Sequence, residues 1–313
     1  MLGCMLKQTT ELWQVVTYGT LSVHRYSGKG SQMRLISKDA WLREITKVDW
    51  LKEFSGHIHV VEANPDVEAL LLLEAGLRQV EDQLIRSGRG DRDSFGLGKI
   101  SREDVLVQAL ALRSNWFPEA PWTKINAKGK FDWRWKSVHE YHACLVIYCT
   151  RAPRWTKLLD ELARQALRGL QKVATNARRL FDLVEEIALA DIRLRERMVK
   201  PYIFLLSLTM DSDWKAVASH AYREFSKGQT ERWTPVYETG VALLGVKYRP
   251  GWTSAKLNAL ISALAASLAI EAACSGDESC KYDENNKLLL AEGIKALFYR
   301  AVDPGGRPDL FDE

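Results

Sequence analysis

Cysteine is scarce in this chain, and the cysteine spacing matches no recognisable motif. The 313 residues include five cysteines, an odd number, whose spacing fits neither a disulfide scaffold nor a zinc motif. The glycine spacings of phosphate loops and dinucleotide sites are missing, and no nucleophile motif joins a serine to a histidine and an acid. These absences disfavour disulfide-rich secreted domains and the common nucleotide-binding and hydrolase classes. We expect reduced thiols in a cytoplasmic protein without a cofactor or a bound metal.

Long hydrophobic runs are lacking as well. The most apolar stretch, residues 251–273, is diluted by Ser, Asn and Lys, so no window is expected to approach the roughly 20 apolar residues of a membrane helix. The apolar run at the N-terminus is too short for a signal peptide. We therefore expect no membrane segment. The formal net charge of +4 permits an acidic partner without requiring one.

The clearest positive signal is a helical pattern over residues 251–273. Its large apolar residues recur at spacings of three and four, with small residues between them. Thr253 or Ser254 can cap its first turn. A second apolar run over 288–298 follows an acidic loop. The two runs predict a helical hairpin with an apolar face that needs a partner.

The apolar spacing along the chain predicts a mainly α protein, a helical bundle with a small additional N-terminal α/β domain over residues 1–95. Partial alternation over 11–26 and 56–61 predicts strands in that domain. A segment rich in glycine and charge, residues 87–98, is the best candidate linker. A basic helical unit over 96–150, a helical domain over 151–303 and a tail over 304–313 follow.

Caps and prolines set the expected helix boundaries beyond residue 100. Ser101 is a good N-cap for a helix that runs to about Arg113. A long helix with a basic end over 193–200 is expected to stop at Pro201. Two short helices, near 202–210 and 213–226, should then precede another near 235–246.

The path from Glu238 through residues 248–273 to 288–302 resembles the C-terminal half of the TetR family of transcriptional regulators. In that family a long helix rich in small residues pairs with the last helix to form a dimeric four-helix bundle. The resemblance implies a homodimer. The implied interface residues are Leu257, Leu260, Ala263, Leu264, Ala266, Leu290 and Leu297.

The same resemblance implies a DNA-binding unit upstream. Residues 101–112 look like the family's first helix, and the step at Lys136 and Ser137 looks like the start of its fourth. Between them, residues 122–136 carry five basic residues against one acid, a net +4. Such charge binds phosphates irrespective of sequence. The candidate DNA-binding residues are Lys124, Lys128, Lys130, Arg134 and Lys136.

Members of the TetR family also bind a small, often apolar ligand inside the regulatory bundle. Aromatic side chains suit such pockets. The resemblance therefore implies a regulator that senses a small hydrophobic ligand. The candidate ligand-binding residues are Phe181, Tyr202, Trp214, Tyr222, Trp233 and Tyr237.

Two alternatives remain open. The interval over residues 116–136 is shorter than the family's by roughly one helix, which favours a helical interaction or assembly protein that keeps the dimer bundle and does not bind DNA. The second alternative is an enzyme with a metal site at His57, His59 and Glu62, since two histidines on one face of a strand and a nearby carboxylate can bind a metal.

Overall fold

The described residues are mainly α-helical, as the sequence predicted. A computed structural model describes residues 37–58, 65–87, 97–173, 177–275, 278–303 and 305. Single 3-10 turns lie at Leu97–Lys99 and Glu278–Lys281. Two short strands, β1 (Lys247–Tyr248) and β2 (Val302–Asp303), pair in antiparallel fashion. The helices are α1 (Lys38–Ile45), α2 (Trp50–Glu53), α3 (Val67–Ser87), α4 (Arg102–Trp116), α5 (Lys124–Arg134), α6 (Val138–Arg151), α7 (Pro153–Val173), α8 (Ala177–Thr209), α9 (Lys215–Leu244), α10 (Ser254–Ser275) and α11 (Leu289–Ala301).

Local capping starts several of these helices. Ser101 Oγ accepts a hydrogen bond from Asp104 N at 3.1 Å, and Thr253 Oγ1 accepts one from Lys256 N at 3.1 Å. Both caps were predicted from the sequence. Thr123 and Ser137 cap α5 and α6 in the same way. A hydroxyl at these positions satisfies a first-turn N–H that has no partner within its helix.

Helix α6 is the centre of the first half of the fold. Every residue from 141 to 150 is buried, and α3 and α9 pack against it. The Tyr141 hydroxyl donates to Leu72 O at 2.9 Å and lies so close to Gly76 that a Cβ there would be 2.0 Å away. Glycine at this position therefore lets α3 and α6 approach closely.

The N-terminal domain boundary predicted at residue 95 does not separate two packing units. Helix α3 packs against α4 and α6, and all described residues belong to one compact unit that begins at Ser37. The described part of residues 1–95 is helical, and Gly56 forms a turn at φ +85° where a strand was predicted. The predicted strand over 11–26 and most of the predicted linker lie outside the described residues.

Helices α7 to α11 form a bundle with two buried clusters. One cluster joins α7, α8 and α9 and includes Leu170 and Trp233. The other joins α8, α10 and α11 and includes Ile192, Leu257 and Leu290. The predicted pairing of the last two long helices is confirmed, because α10 packs against α11.

Two prolines lie inside long helices where the sequence predicted boundaries. Helix α8 runs for 33 residues through Pro201, and α9 runs for 30 residues through Pro235. The predicted stop at Pro201 and the predicted separate helices over 213–226 and 235–246 are therefore wrong. Proline removes one helical hydrogen bond, but buried side chains flank both positions, and tertiary packing supplies most helix stability in proteins.

Helix α10 corrects one further expectation. Within the described residues, Ser254–Ala272 is long enough and apolar enough to cross a membrane by length and composition alone. The expectation that no window approaches such a helix was wrong by that measure. In the fold, 39% of this window is buried inside the protein, and α10 packs against α8, α9 and α11. These contacts bury one face of α10 in the bundle, with Leu257 fully buried.

Candidate ligand-binding cavity

A cavity of about 130 Å³ lies where α7, α8, α9, α10 and α11 meet. It occupies the space between the two buried clusters, so both contribute to its wall. The wall is largely aliphatic and aromatic, with Leu170, Ile187, Val236, Ile261 and Phe298 among its residues. Space of this kind favours an apolar occupant, because apolar surface gains free energy when it leaves water.

One part of the wall is polar. Asp191 and Arg195 lie one turn apart on α8, and Arg195 Nε donates to Asp191 Oδ2 at 2.8 Å. Arg195 also reaches α10. Its Nη1 donates to Ser262 O at 3.5 Å, and its Nη2 donates to Ser262 Oγ at 3.5 Å. A spacing of four residues places the two side chains on the same helical face, so this ion pair forms within α8 itself.

The second oxygen of Asp191 has no such partner. The residue is 5% exposed, and Oδ1 accepts no hydrogen bond from any residue that the structure describes. Buried carboxylate oxygens are usually hydrogen-bonded, since losing water without replacement costs roughly 1–3 kcal/mol. Oδ1 also has almost no accessible surface, so it is enclosed beside the cavity and is not open to it.

Tyr237 adds a neutral polar group to the wall. Burial raises the pKa of the Tyr237 hydroxyl, and the negative charge of Asp191 raises it further. The phenol therefore stays protonated across the physiological range. Asn258, also in the wall, donates through Nδ2 to Thr230 Oγ1 at 3.2 Å.

A second, smaller cavity of about 50 Å³ shares Arg195 with the wall of the first. Tyr202, Phe225 and Gln229 contribute to its wall. Burial raises the pKa of Tyr202, and its hydrogen bond with Tyr222 contributes in the same direction. Arg195 thus contributes to the walls of both cavities.

The predicted ligand residues fall into three groups. Phe181, Trp233 and Tyr237 line the larger cavity, and Tyr202 lines the smaller one. Trp214 and Tyr222 line neither cavity. Trp214 instead stacks on His139 with ring centroids 4.2 Å apart, because it lies at the start of α9 beside α6.

Sequence reasoning missed the polar wall. Arg195 was interpreted as part of a basic run at a helix end, but α8 continues for fourteen residues beyond it, to Thr209. The available signal was an acid and a base four residues apart on the apolar face of a long helix.

Comparisons with protein-family models, curated proteins and solved structures find no match. The resemblance to the TetR family therefore stays a prediction. The candidate site rests on the geometry of this chain alone.

The predicted DNA-binding residues do not form one exposed set. Arg134 is completely buried, with Nε and Nη2 2.8 and 2.9 Å from the two oxygens of Asp66. Lys130 pairs with Glu68 at 2.8 Å. Assigning Arg134 to DNA was wrong, because it joins α5 to the start of α3. Lys124, Lys128 and Lys136 are exposed.

The segment between the predicted first and fourth family helices is the single helix α5, followed by a three-residue turn into α6. Helix α6 cannot enter a DNA groove in this fold, since residues 141–150 are buried. Exposed apolar side chains accompany the lysines on α5, with Ile125 83% and Trp133 44% exposed.

The predicted dimer residues lie on different faces of the hairpin. Leu257 and Leu290 are fully buried within the chain, so assigning them to an interface between copies was wrong. Leu264 packs against Gly293 of α11, where an added Cβ would be 2.2 Å from Leu264 Cδ2. Ala266 and Leu297 are half-buried. Leu260 and Ala263 are exposed on the outer face of α10.

The metal hypothesis gains no geometric support. His59 and Glu62 lie outside the described residues, and His57 is half-buried. Among the residues that the structure does describe, no group of three or more His, Cys, Asp or Glu side chains could hold a metal ion. His142 is buried, with Nε2 3.0 Å from Ile100 O, and burial raises the pKa of Cys144 to about 12, which keeps that thiol protonated.

Proposed function

We propose that this protein is a ligand sensor that binds a small, largely apolar molecule in the bundle cavity. The single observation that carries the proposal is the 130 Å³ cavity, whose wall is largely aliphatic and aromatic. A protein cavity of about 150 Å³ lined by Leu, Ile and Phe takes up benzene, so this space suits a molecule with one ring.

The position of the cavity supports a sensing role. Its wall draws on the five consecutive helices α7 to α11, so an occupant that fills the cavity would contact several of them at once. Filling the space adds dispersion contacts that an empty wall lacks. A ligand that prefers one arrangement of these helices would shift their equilibrium toward that arrangement.

Thermal unfolding in the presence of benzene or toluene tests the proposal. Each probe at ten times its Kd should stabilise the protein by about 1.4 kcal/mol, because it binds only the folded state. Gly240→Leu places a larger side chain in the cavity and should abolish this stabilisation. Ala166→Leu, at another residue of the wall, should do the same. Gly129→Leu, at an exposed helical glycine, is the control that should keep the shift. No shift with the wild-type protein would refute the proposal.

DNA binding is the second candidate function, as the output of a TetR-like regulator. Lys124, Lys128 and Lys136 support it, because all three are exposed and form no ion pair with another residue in the described part of the chain. Such side chains are free to neutralise phosphates and release counterions.

A salt series of duplex binding decides between this function and an assembly protein that does not bind DNA. Replacing the three lysines by alanine should flatten the slope of log affinity against log salt by about 2.7, at roughly 0.9 per lost phosphate contact. A variant with equal net charge replaces Lys172, Lys215 and Lys227, which are exposed on other helices. Equal slopes for the two variants would contradict the assignment. Salt-independent binding by the wild type would do so as well.

A further inference from the structure

Helix α5 presents an exposed face that combines apolar and basic side chains. Ile125 is 83% exposed and Trp133 is 44% exposed, so two large apolar side chains lie in water. Lys124, Lys128 and Lys136 are exposed beside them. We infer that this α5 face docks on an anionic membrane surface. Ile125 and Trp133 enter the interfacial layer of the bilayer, and the three lysines contact anionic headgroups.

The helical geometry places both apolar side chains on the open side of α5. Ile125 and Trp133 are eight residues apart, which puts them roughly 80° apart around the helix axis. Gly129 lies between them, and a Cβ there would meet nothing within 4 Å. Ala127 and Phe131 are buried on the other side. Helix α5 therefore packs through one side and leaves the other open within the described part of the chain.

The α5 face carries positive charge that is not compensated. Lys124, Lys128 and Lys136 form no ion pair with another residue that the structure describes. The acid of α5, Asp132, accepts a hydrogen bond from Arg102 Nη1 at 2.9 Å, so an arginine balances its charge. A lysine near an anionic membrane surface strengthens binding roughly fivefold. The sign of the charge on the α5 face is therefore complementary to that of the proposed surface.

The mixture of side chains favours a bilayer over DNA or a protein partner. DNA phosphates reward the lysines, which also carry the DNA candidate, but they gain nothing from Ile125. The buried cores of protein interfaces are depleted in lysine. An anionic bilayer rewards both kinds of side chain, because apolar residues enter the acyl boundary while basic residues stay at the headgroups. Tryptophan is enriched at membrane–water interfaces, which suits the position of Trp133.

Flotation of the full chain with lipid vesicles tests the inference. One set of vesicles contains phosphatidylcholine alone, and the other contains phosphatidylcholine mixed with phosphatidylserine. The wild type should partition onto the anionic set roughly a hundredfold more strongly, since three lysines contribute about fivefold each. Replacing Lys124, Lys128 and Lys136 by alanine should abolish this difference. The variant that replaces Lys172, Lys215 and Lys227, which has the same net charge, should keep it.

A second pair of variants tests the apolar contribution. Ile125→Ser combined with Trp133→Ser keeps the net charge and should lower partitioning onto the anionic vesicles at least about tenfold. Ile125→Ser alone, at the more exposed position, should lower it at least about threefold. The matched control combines Met210→Ser with Leu243→Ser, at side chains that are 87% and 38% exposed elsewhere on the protein. This control should bind the vesicles like the wild type.

The outcomes distinguish the membrane from the other partners. If the wild type does not bind the anionic vesicles, the inference is overturned, and duplex DNA binding by that same protein would leave the DNA candidate standing. Undiminished vesicle binding by both Ile125 variants would also overturn it, because charge alone would then account for the binding. An equal loss in the Met210 and Leu243 control would do so as well. The bundle cavity takes no part in these measurements, so none of them bears on the ligand-sensing function.

Discussion

Three helical glycines test directly whether the space beside α9 is empty. Replacing glycine by alanine within a helix stabilises a protein by about 0.5–1 kcal/mol when the new methyl group fits, because alanine loses less backbone freedom on folding. At Gly240, in the cavity wall, a Cβ would meet only Leu170 Cδ1, at 4.0 Å. At exposed Gly129 it would meet nothing within 4 Å. At Gly169 it would overlap Leu183 Cδ1 at 2.5 Å.

The three substitutions should therefore rank in a fixed order. Gly129→Ala reports helix propensity alone and should stabilise the protein by about 0.5–1 kcal/mol. Gly240→Ala should match or slightly exceed it, since each new carbon contact adds about 0.1–0.2 kcal/mol. Gly169→Ala should lose this gain to overpacking of about 1–3 kcal/mol. Urea unfolding followed by circular dichroism measures all three. If Gly240→Ala destabilised the protein while Gly129→Ala stabilised it, the cavity would not be open at that wall.

Three further predictions follow from the packing. Arg134→Met should destabilise the protein by about 3–5 kcal/mol in urea unfolding, because it leaves the Asp66 carboxylate without its buried partner. The control Lys136→Ala, at an exposed position, should change stability by no more than about 0.5 kcal/mol. Similar effects of the two substitutions would contradict the burial of Arg134. Burial lowers the pKa of His142, so the unfolded chain binds a proton first, and stability should fall as pH drops below about 6.5, by at most about 1.4 kcal/mol per pH unit from this residue. His142→Gln should flatten that dependence, and an unchanged pH profile would refute the role. Dimer formation stays a prediction that the exposed face of α10 supports: Ala263→Arg should convert dimers to monomers in light scattering, and an unchanged mass would contradict it.

The loss of Arg134 from the basic set shows a limit of charge patterns. Five basic residues in a short segment look equivalent along the sequence, but Arg134 meets Asp66 across 68 positions. Asp66 Oδ1 also accepts from the N–H groups of Glu68 and Ala69, so the pair connects α5 to the first turn of α3. Nothing local to residues 122–136 indicates that partner.

Features that depend on neighbouring residues could be predicted from the sequence. The mainly α fold and the caps at Ser101 and Thr253 arise within a few positions, where hydroxyl spacing and apolar periodicity act directly. The pairing of α10 with α11 also follows from two apolar runs that are adjacent in the sequence.

Only the tertiary structure decided the cavity and the fates of the predicted sites. The continuation of α8 through Pro201 depends on packing against other helices. Helix α10 has a buried face with Leu257 and an exposed face with Leu260, and the three helices that pack against α10 determine which face is buried. The cavity exists because five helices converge without filling the space between two clusters. A void is a property of that convergence, so no stretch of sequence encodes it alone, and the environment of Asp191 became visible only once those helices were assembled.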